Sequence, residues 1–376
     1  MRLLHVHSGN LYGGVETMML TMVRASVGRS STEHEFGLAF DGRIAAELRA
    51  SGVAVHQVGE VRTRNPLSVR RARRHLKDLI ATKRYDAVAC HMPWAHAVFA
   101  PTVKRCALPL VFWMHNPANQ LHWVEWLASW TRPDLVICNS LFTASTLPRL
   151  FARMAAEVLY CPVEIPQTPI DADVRTALRD EFATSHDAVV IVQVGRMEAG
   201  KGHALLIEAL AKQGDPNWTC WQVGGAQQPH EVEYVEGLKR QAADLKIEDR
   251  VKFVGPRADV ARVLQAADIY CQPNTLPDAF GISFIEALGA RLPVVTTAMG
   301  GAIEIVDESC GILTGPNDVE ELADAISLLI DDAEVRGRLG AAGPARASAL
   351  SDPGAVTRGL DAILARLKQK SDMETP

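Results

Sequence analysis

Two carboxylates, Asp278 and Glu286, stand eight residues apart in the stretch DAFGISFIEALGARLPVVTTAMGGAIEIV. Between them lies Phe280-Gly281-Ile282, and an apolar run that reads as a helix follows. Gly281 would let the backbone approach a ligand closely. The amides opening that helix lack intrahelical partners and favour an anion. One short segment thus offers acids for hydroxyls and free N–H donors for a phosphate, a combination that suits a sugar nucleotide. The same residues would also serve a buried helix with a capping acid.

Other residues add to this chemistry. In VGRMEAGKGHALLIEALA, Gly195, Gly200 and Lys201 match a phosphate-loop spacing, but Gly202 stands where the metal-holding Ser or Thr belongs. Arg196 and Lys201 instead bring two cations to a strand–loop–helix junction, where they could neutralise a diphosphate leaving group without metal. Two surface cations would read the same way. Gly13-Gly14 follow the first strand and open a helix with Val15, Met18, Met19, Met22 and Val23 on one face. Such a loop can hold a phosphate or sugar on backbone amides, although Gly9, Gly13 and Gly14 do not form the dinucleotide fingerprint. A tight turn with Glu16 at a helix start fits equally. His115, in FWMHNPANQ, ends an apolar strand, where a histidine can be a satisfied core residue or a catalyst. No His/Cys/Asp cluster has metal-ligand spacing. Asp171-Ala172-Asp173 is a D-x-D with no strand before it and reads as a solvated turn or a helix start.

These residues need elements to hold them. Short apolar runs at 3–7, 53–58, 85–90, 108–115 and 134–140 read as strands, as do 189–195, 218–225, 250–255, 268–273 and 292–297. Helical patterns alternate with them, so each half is a parallel sheet covered on both faces. The expected fold is α/β, with two doubly wound Rossmann-like domains facing across a cleft. Residues 1–165 and 166–352 form the domains, divided near the proline-rich CPVEIPQTPIDAD. Residues 353–376 carry Val356, Leu360, Ile363, Leu364 and Leu367 at helical spacing, before a frayed SDMETP. That helix is expected to pack back toward the N-terminal domain. In open parallel sheets ligands sit beyond the carboxyl ends of the strands. His115, Arg196 and Asp278 all follow strand ends.

The chain has 376 residues, 48% hydrophobic and 22% charged, with net charge -5. This is a globular composition without a nucleic-acid signature. Residues 1–165 carry 19 Lys and Arg against 12 Asp and Glu, whereas the remainder carries 20 against 32. A basic half beside an acidic half suggests an anionic partner for the first. PLSVRRARRHLKDLIATKR (66–84) is a basic amphipathic helix, with Arg70, Arg71, Arg73, Arg74 and Lys77 off its apolar face. It could touch anionic lipid, or simply cover the sheet with a solvated face. Trp94, Trp113, Trp123, Trp126 and Trp130 lie nearby and could stack on a sugar, meet an interface or fill the core. The seven cysteines, Cys90, Cys106, Cys138, Cys161, Cys220, Cys271 and Cys310, form no C-x-x-C and read as core residues of a reducing compartment. No signal-peptide core or transmembrane run is evident. A cytoplasmic protein, peripheral to the membrane if the basic helix binds lipid, is expected.

In this order the pieces resemble the family 4 retaining glycosyltransferases, which have the GT-B fold. The likeness rests on Gly13-Gly14-Val15-Glu16, His115, and Val194-Gly195-Arg196 with Lys201-Gly202. It is most specific in Asp278 through Glu286, Pro293-Val294-Val295 and Gly300-Gly301 with Glu304-Ile305-Val306. The resemblance implies that Arg196 and Lys201 hold a donor diphosphate and Glu286 the ribose hydroxyls. Asp278 and the amides of Phe280, Gly281 and Ile282 would bind the donor sugar and its phosphate, with Gly14 also on the donor. His115 would lie beside the reacting carbon. Arg196, Lys201, His115 and Asp278 would be the catalytic set, without metal or cofactor. The family usually has Glu where this chain has Asp278, which bears on the donor sugar. The acceptor, whether lipid-linked, saccharide or small molecule, is expected against the N-terminal half. Two other functions fit the same residues: a nucleotide-sugar epimerase on a similar fold, and a non-catalytic sugar-nucleotide-binding protein.

Overall fold

The computed structural model describes residues 1–119, 122–166 and 168–374. They divide into two compact units, Met1–Val163 with Ser351–Pro376, and Glu164–Leu350.

The N-terminal unit holds β1 (Arg2–His7), β2 (Glu33–Leu38), β3 (Val55–Gln57), β4 (Ala87–His91), β5 (Leu110–Met114), β6 (Leu135–Cys138) and β7 (Glu157–Val158). They form one sheet in the order 3-2-1-4-5-6-7, every pair parallel. The C-terminal unit holds β8 (Val189–Val194), β9 (Trp218–Val223), β10 (Val251–Gly255), β11 (Ile269–Gln272), β12 (Val294–Thr297) and β13 (Gly311–Thr314). Their order, 10-9-8-11-12-13, repeats the winding of the first six strands. Helices cover the sheets, so central strands are buried on both faces and read as apolar runs. Leu4, Val6, Leu76, Val88, Phe99 and Leu110 form one core. Ile191, Leu206, Trp218, Ile269, Val295 and Leu329 form the other. In each unit the winding reverses between the first and fourth strand, the switch point where ligands of such sheets bind.

Three strands were not legible as apolar runs. β2 reads EHEFGL, and its charge hides a buried edge of the core. Glu35 is buried there and accepts hydrogen bonds from Tyr85 Oη at 2.8 Å, His56 Nε2 at 2.6 Å and the Arg2 guanidinium. Burial pushes this carboxyl up, and the hydrogen bonds outweigh it, holding Glu35 below its ordinary pKa. β7 has two residues, and β13 opens on Gly311, where a side chain would meet Val294 O at 2.2 Å.

The basic helix runs Pro66–Lys83. Asn65 Oδ1 caps it, accepting from the amides of Leu67 and Ser68, and Pro66 occupies the first turn. The structure corrects one member of its basic face. Arg73 is half-buried and donates from Nε to Val98 O at 2.6 Å and from Nη2 to Ala97 O at 3.3 Å. Both carbonyls belong to the helix Met92–Arg105, which contains Pro101. Proline has no N–H to give residue 97. Arg73 therefore repairs a gap in the neighbouring helix and offers no free head to a partner.

The helix Pro353–Glu374 belongs to the first unit. Asp361 accepts from Ser30 Oγ at 2.8 Å, Thr32 Oγ1 at 2.6 Å and the Ser31 amide at 3.0 Å. Val163 N donates to Ser351 O at 3.0 Å, tying the start of this segment to the end of the N-terminal chain. The fraying expected from Ser371 does not begin there, because the helix continues to Glu374.

Candidate functional site

The carboxyl ends of β8 and β11 carry most of the chemistry in the C-terminal unit. β8 ends at Val194 and runs into Gly195, Arg196 and the short turn Ala199–Lys201. Gly202 follows at φ 74°, where a side chain would collide with Pro273 O at 1.7 Å. The turn is pinned to the loop after β11, since Thr275 N donates to Gly200 O at 3.0 Å. Lys201 Nζ consequently lies 2.6 Å from Asp278 Oδ2, with both side chains about a quarter exposed. Arg196 Nη2 donates to Glu231 Oε1 at 2.6 Å, and its Nε lies 2.7 Å from Glu198. Glu231 is buried at the start of the helix Pro229–Asp244. Burial raises its pKa, and bonds from Arg196 and the amides of Gln227 and Gln228 more than reverse this. Glu231 is thus an ionised anchor for Arg196, and nothing in the sequence reading singled it out.

The helix Ile282–Gly289 begins at Gly281, whose φ of 103° suits glycine. A side chain there would also strike the Phe284 ring at 2.3 Å. Gly300 and Gly301 brace the same loop from behind. Gly301 N donates to Asp278 O at 2.9 Å, and a side chain on Gly301 would meet Ala279 O and the Phe280 Cα at 2.7 Å. The glycine pair therefore lets two backbones touch beneath Asp278–Phe280. Glu286 points from the first turns of the helix with an edge open to solvent. Its carboxylate makes no hydrogen bond or ion pair among the described residues, and burial pushes its pKa up to about 7.

In the N-terminal unit, the helix Gly14–Ser26 starts beyond β1 with Gly13 as its cap. Glu16 closes that turn, accepting from Gly13 N at 2.8 Å and bonding His7 Nε2 at 2.7 Å. Gly14 is exposed. His115 follows β5 and is 2% exposed; its carbonyl accepts from Asn139 Nδ2 at 3.1 Å. Burial, and less so His7, drives the His115 pKa down to about 3, so its ring is neutral. Trp113 is buried, whereas Trp123, Trp126 and Trp130 are exposed along one helix face. Asp171 caps the helix Ala172–Glu181 through Asp173 N, a structural use. Among the described residues no group of three or more His, Cys, Asp or Glu could hold a metal ion, and no helix is long and apolar enough to cross a membrane.

In the C-terminal unit the site residues thus follow β8 and β11, the strands that flank the switch point; in the N-terminal unit Gly14 follows β1, and His115 follows β5, one strand beyond β4. Sequence reasoning missed the polar groups behind them: Glu231, His203, Gln193, Gln272 and Asn274 in one unit, and His5, His34 and His91 in the other. For Gln193, Gln272, His5 and His91 the signal was a polar residue inside an apolar strand, as in VVIVQV, IYCQ, RLLHVH and AVACH; His34 lies in the charged β2, Glu231 and His203 on helices and Asn274 on a loop, and these had no such signal.

Comparison with known proteins agrees with this geometry. The model described as Glycosyltransferase Family 4 matches residues 12–166, and that of Glycosyl transferases group 1 matches residues 174–346. The chain belongs to the family 4 glycosyltransferases. It is 34% identical over 176 residues to a D-inositol 3-phosphate glycosyltransferase of Mycobacteroides abscessus, covering 45% of this chain and 39% of the relative. To a GDP-mannose-dependent alpha-(1-6)-phosphatidylinositol monomannoside mannosyltransferase of Mycolicibacterium smegmatis it is 29% identical, covering 56% of each. The chain thus spans 39% to 56% of the length of these relatives. Alr3699/HepE of Anabaena, solved with UDP, superposes with a TM-score of 0.87 at 25% identity over 97% of this chain and all of that one. The same protein solved with UDP-glucose gives 0.86 at 26%. The family's GT-B fold is the one found here, as two Rossmann-like domains.

Proposed function

We propose that this family 4 member transfers a sugar from a nucleoside diphosphate to an acceptor hydroxyl with retention of configuration. The observation that carries this reading is the convergence, at one switch point, of Arg196, Lys201, the Gly281–Ile282 helix start, Asp278 and Glu286. Arg196 and Lys201 would receive the diphosphate and stabilise the charge that develops on departure. The unpartnered Glu286 carboxyl would accept from ribose hydroxyls. Asp278 would bind a donor hydroxyl once phosphate draws Lys201 away. The nucleotide complexes of the Anabaena protein and the GDP-mannose dependence of the mycobacterial relative support a sugar-nucleotide donor.

The two cations are not idle before ligand arrives, since Lys201 is paired with Asp278 and Arg196 with Glu231 and Glu198. A diphosphate must exchange for one of these carboxylates. The shorter Asp278, against the family's usual Glu, sets that exchange and with it the donor sugar. We assign the acceptor to the N-terminal unit, where the exposed Trp123, Trp126 and Trp130 offer stacking surface. The proposed reaction needs no metal or cofactor, and activity should survive EDTA. A panel of UDP-, GDP- and ADP-sugars scored by thermal shift tests the reading, because a ligand that binds only the folded state raises its melting point. Stabilisation by one nucleotide sugar, followed by its consumption only when acceptor extract is added, is the expected result. No stabilisation by any of them would overturn the reading, and consumption without acceptor would favour epimerisation.

A further inference from the structure

Four buried histidines cross the N-terminal sheet in one hydrogen-bonded line. His34 lies on β2, His5 on β1, His91 at the end of β4, and His115 just beyond β5. Strand register puts them on one face: His5 is beside Phe36 and Ala89, His91 is beside Trp113, and side chains repeat every second residue. His115 Nε2 is 2.9 Å from His91 Nδ1, His91 Nε2 is 2.9 Å from His5 Nδ1, and His5 Nε2 is 2.9 Å from His34 Nδ1. Phe36 stacks on His5 and Trp113 on His91, with ring centroids 4.7 and 5.1 Å apart. Among the described residues no carboxylate bonds any ring of this row. Burial lowers the pKa of every one of them, so each ring is neutral, with one N–H and one lone pair.

Neutral rings joined through both nitrogens leave only two ordered arrangements. Any mixture would set two hydrogens or two lone pairs against each other across 2.9 Å. The far end chooses between them. Ser26 Oγ donates its single hydrogen to Met22 O at 2.8 Å, the back-bond a helical serine commonly makes. Its oxygen can then only accept from His34 Nε2, 3.3 Å away. His34 therefore carries its hydrogen on Nε2, and the same choice passes along the row to His115.

We infer that this row holds His115 as its Nε2–H tautomer, so that Nδ1 presents a lone pair to a hydroxyl of the substrate, with His91, His5 and His34 as positioning residues. The lone pair excludes His115 as a proton donor and fits it to receive a sugar or acceptor O–H. The substrate half of this statement rests on the proposed transferase reading; the tautomer does not.

Two-bond proton–nitrogen correlation spectra of the full chain with ¹⁵N-labelled histidine read each tautomer directly, with His115 assigned from a His115→Ala sample. All four rings in the Nε2–H form is the expected result. His115 as the Nδ1–H form or as a mixture overturns the inference, whether or not transferase activity is found. Function is tested at His91. His91→Gln keeps the polarity, because the carboxamide oxygen accepts from His115 and its NH₂ donates to His5, whereas His91→Leu gives His115 no acceptor. Leu should lower kcat at least about 10-fold, the low end for losing a partner that sets a tautomer, with donor KM little changed, and Gln should recover most of that loss. Equal kcat losses in the two variants would show that packing alone is at stake.

Discussion

Replacing Glu286 by Gln should stabilise the ligand-free protein while impairing nucleotide binding. The Glu286 carboxylate has no partner among the described residues, and burial moves its pKa from the ordinary 4.5 to about 7. The folded state therefore binds a proton more tightly than the unfolded chain. Below about pH 4.5 both states hold that proton and nothing is lost. As pH rises toward 7 the unfolded chain gives it up first, so folding stability falls through this window. The gap amounts to about 3 kcal/mol at about 1.36 kcal/mol per pH unit, and by pH 8 the whole of it has been lost. Glutamine has the same shape and no charge to bury. Urea unfolding of wild type and Glu286→Gln at pH 5, 6, 7 and 8, followed by fluorescence of the buried Trp218 and Trp221, compares the two. The variant should gain little at pH 5 and up to about 3 kcal/mol at pH 8. A difference that stays constant across this range would refute the argument. Nucleotide affinity should fall in the same variant, since a charged acceptor for hydroxyls becomes a neutral one.

Four further outcomes follow from the geometry. Lys201→Ala should fold normally yet lose turnover by at least ~10²-fold, as removing one group from a charge-stabilising site does; a near-normal rate would take Lys201 out of the mechanism. Gly301→Ala should destabilise the C-terminal unit by about 1–3 kcal/mol, because its side chain meets backbone at 2.7 Å that cannot yield; an unchanged melting point would contradict the brace. Arg73→Ala should cost about 1–3 kcal/mol by leaving Ala97 O, which Pro101 cannot serve, without a donor, and Arg73→Lys, which lacks the fork, should restore little in the same denaturation assay. If the basic helix meets anionic lipid, each of the exposed Arg70, Arg71, Arg74 and Lys77 adds about 1 kcal/mol, and replacing the three arginines by Gln should release the chain from anionic vesicles without the cost of losing Arg73; wild type that fails to co-sediment at low salt would end the idea.

How legible each part was depended on where its polar atoms sit. The ten strands read as apolar runs are all present, and most of them are central strands that are apolar because both their faces are covered. β2 escaped because Glu33, His34 and Glu35 look solvated, and only tertiary contacts with Arg2, His56 and Tyr85 make Glu35 a core residue. The donor-loop glycines were visible as letters, but their purpose was not. That Gly301 lets one backbone rest on another depends on two loops far apart in sequence, at Asp278–Phe280 and at Gly300-Gly301. Arg73 looked like its neighbours on a basic face until the missing N–H of Pro101 explained its direction. Pairings across long sequence separations carry no local signature, and each of these is one.

The same logic explains what lies under the candidate site. The inner strands of the C-terminal sheet give up apolar residues near their carboxyl ends. Gln193 and Gln222 are register neighbours on β8 and β9, as are Gln272 and Thr296 on β11 and β12. Burying them would cost stability if they were idle. Gln193 Nε2 donates to Lys201 O at 2.7 Å, and Gln222 fixes the His203 ring, whose other nitrogen bonds Arg196 O at 3.1 Å. Thr296 and Thr297 donate to Gln272 O at 2.8 Å and Asn274 O at 2.6 Å, at the root of the Asp278 loop. Gln193, His203, Thr296 and Thr297 thus each hold a backbone carbonyl of a segment that bears or adjoins Arg196, Lys201 or Asp278, and Gln222 holds the His203 ring. A loop held by its carbonyls can present a side chain without that side chain packing anywhere, which a cation meeting a diphosphate requires. The polar letters that interrupt the apolar strands therefore mark where rigidity is built in behind the exposed charges.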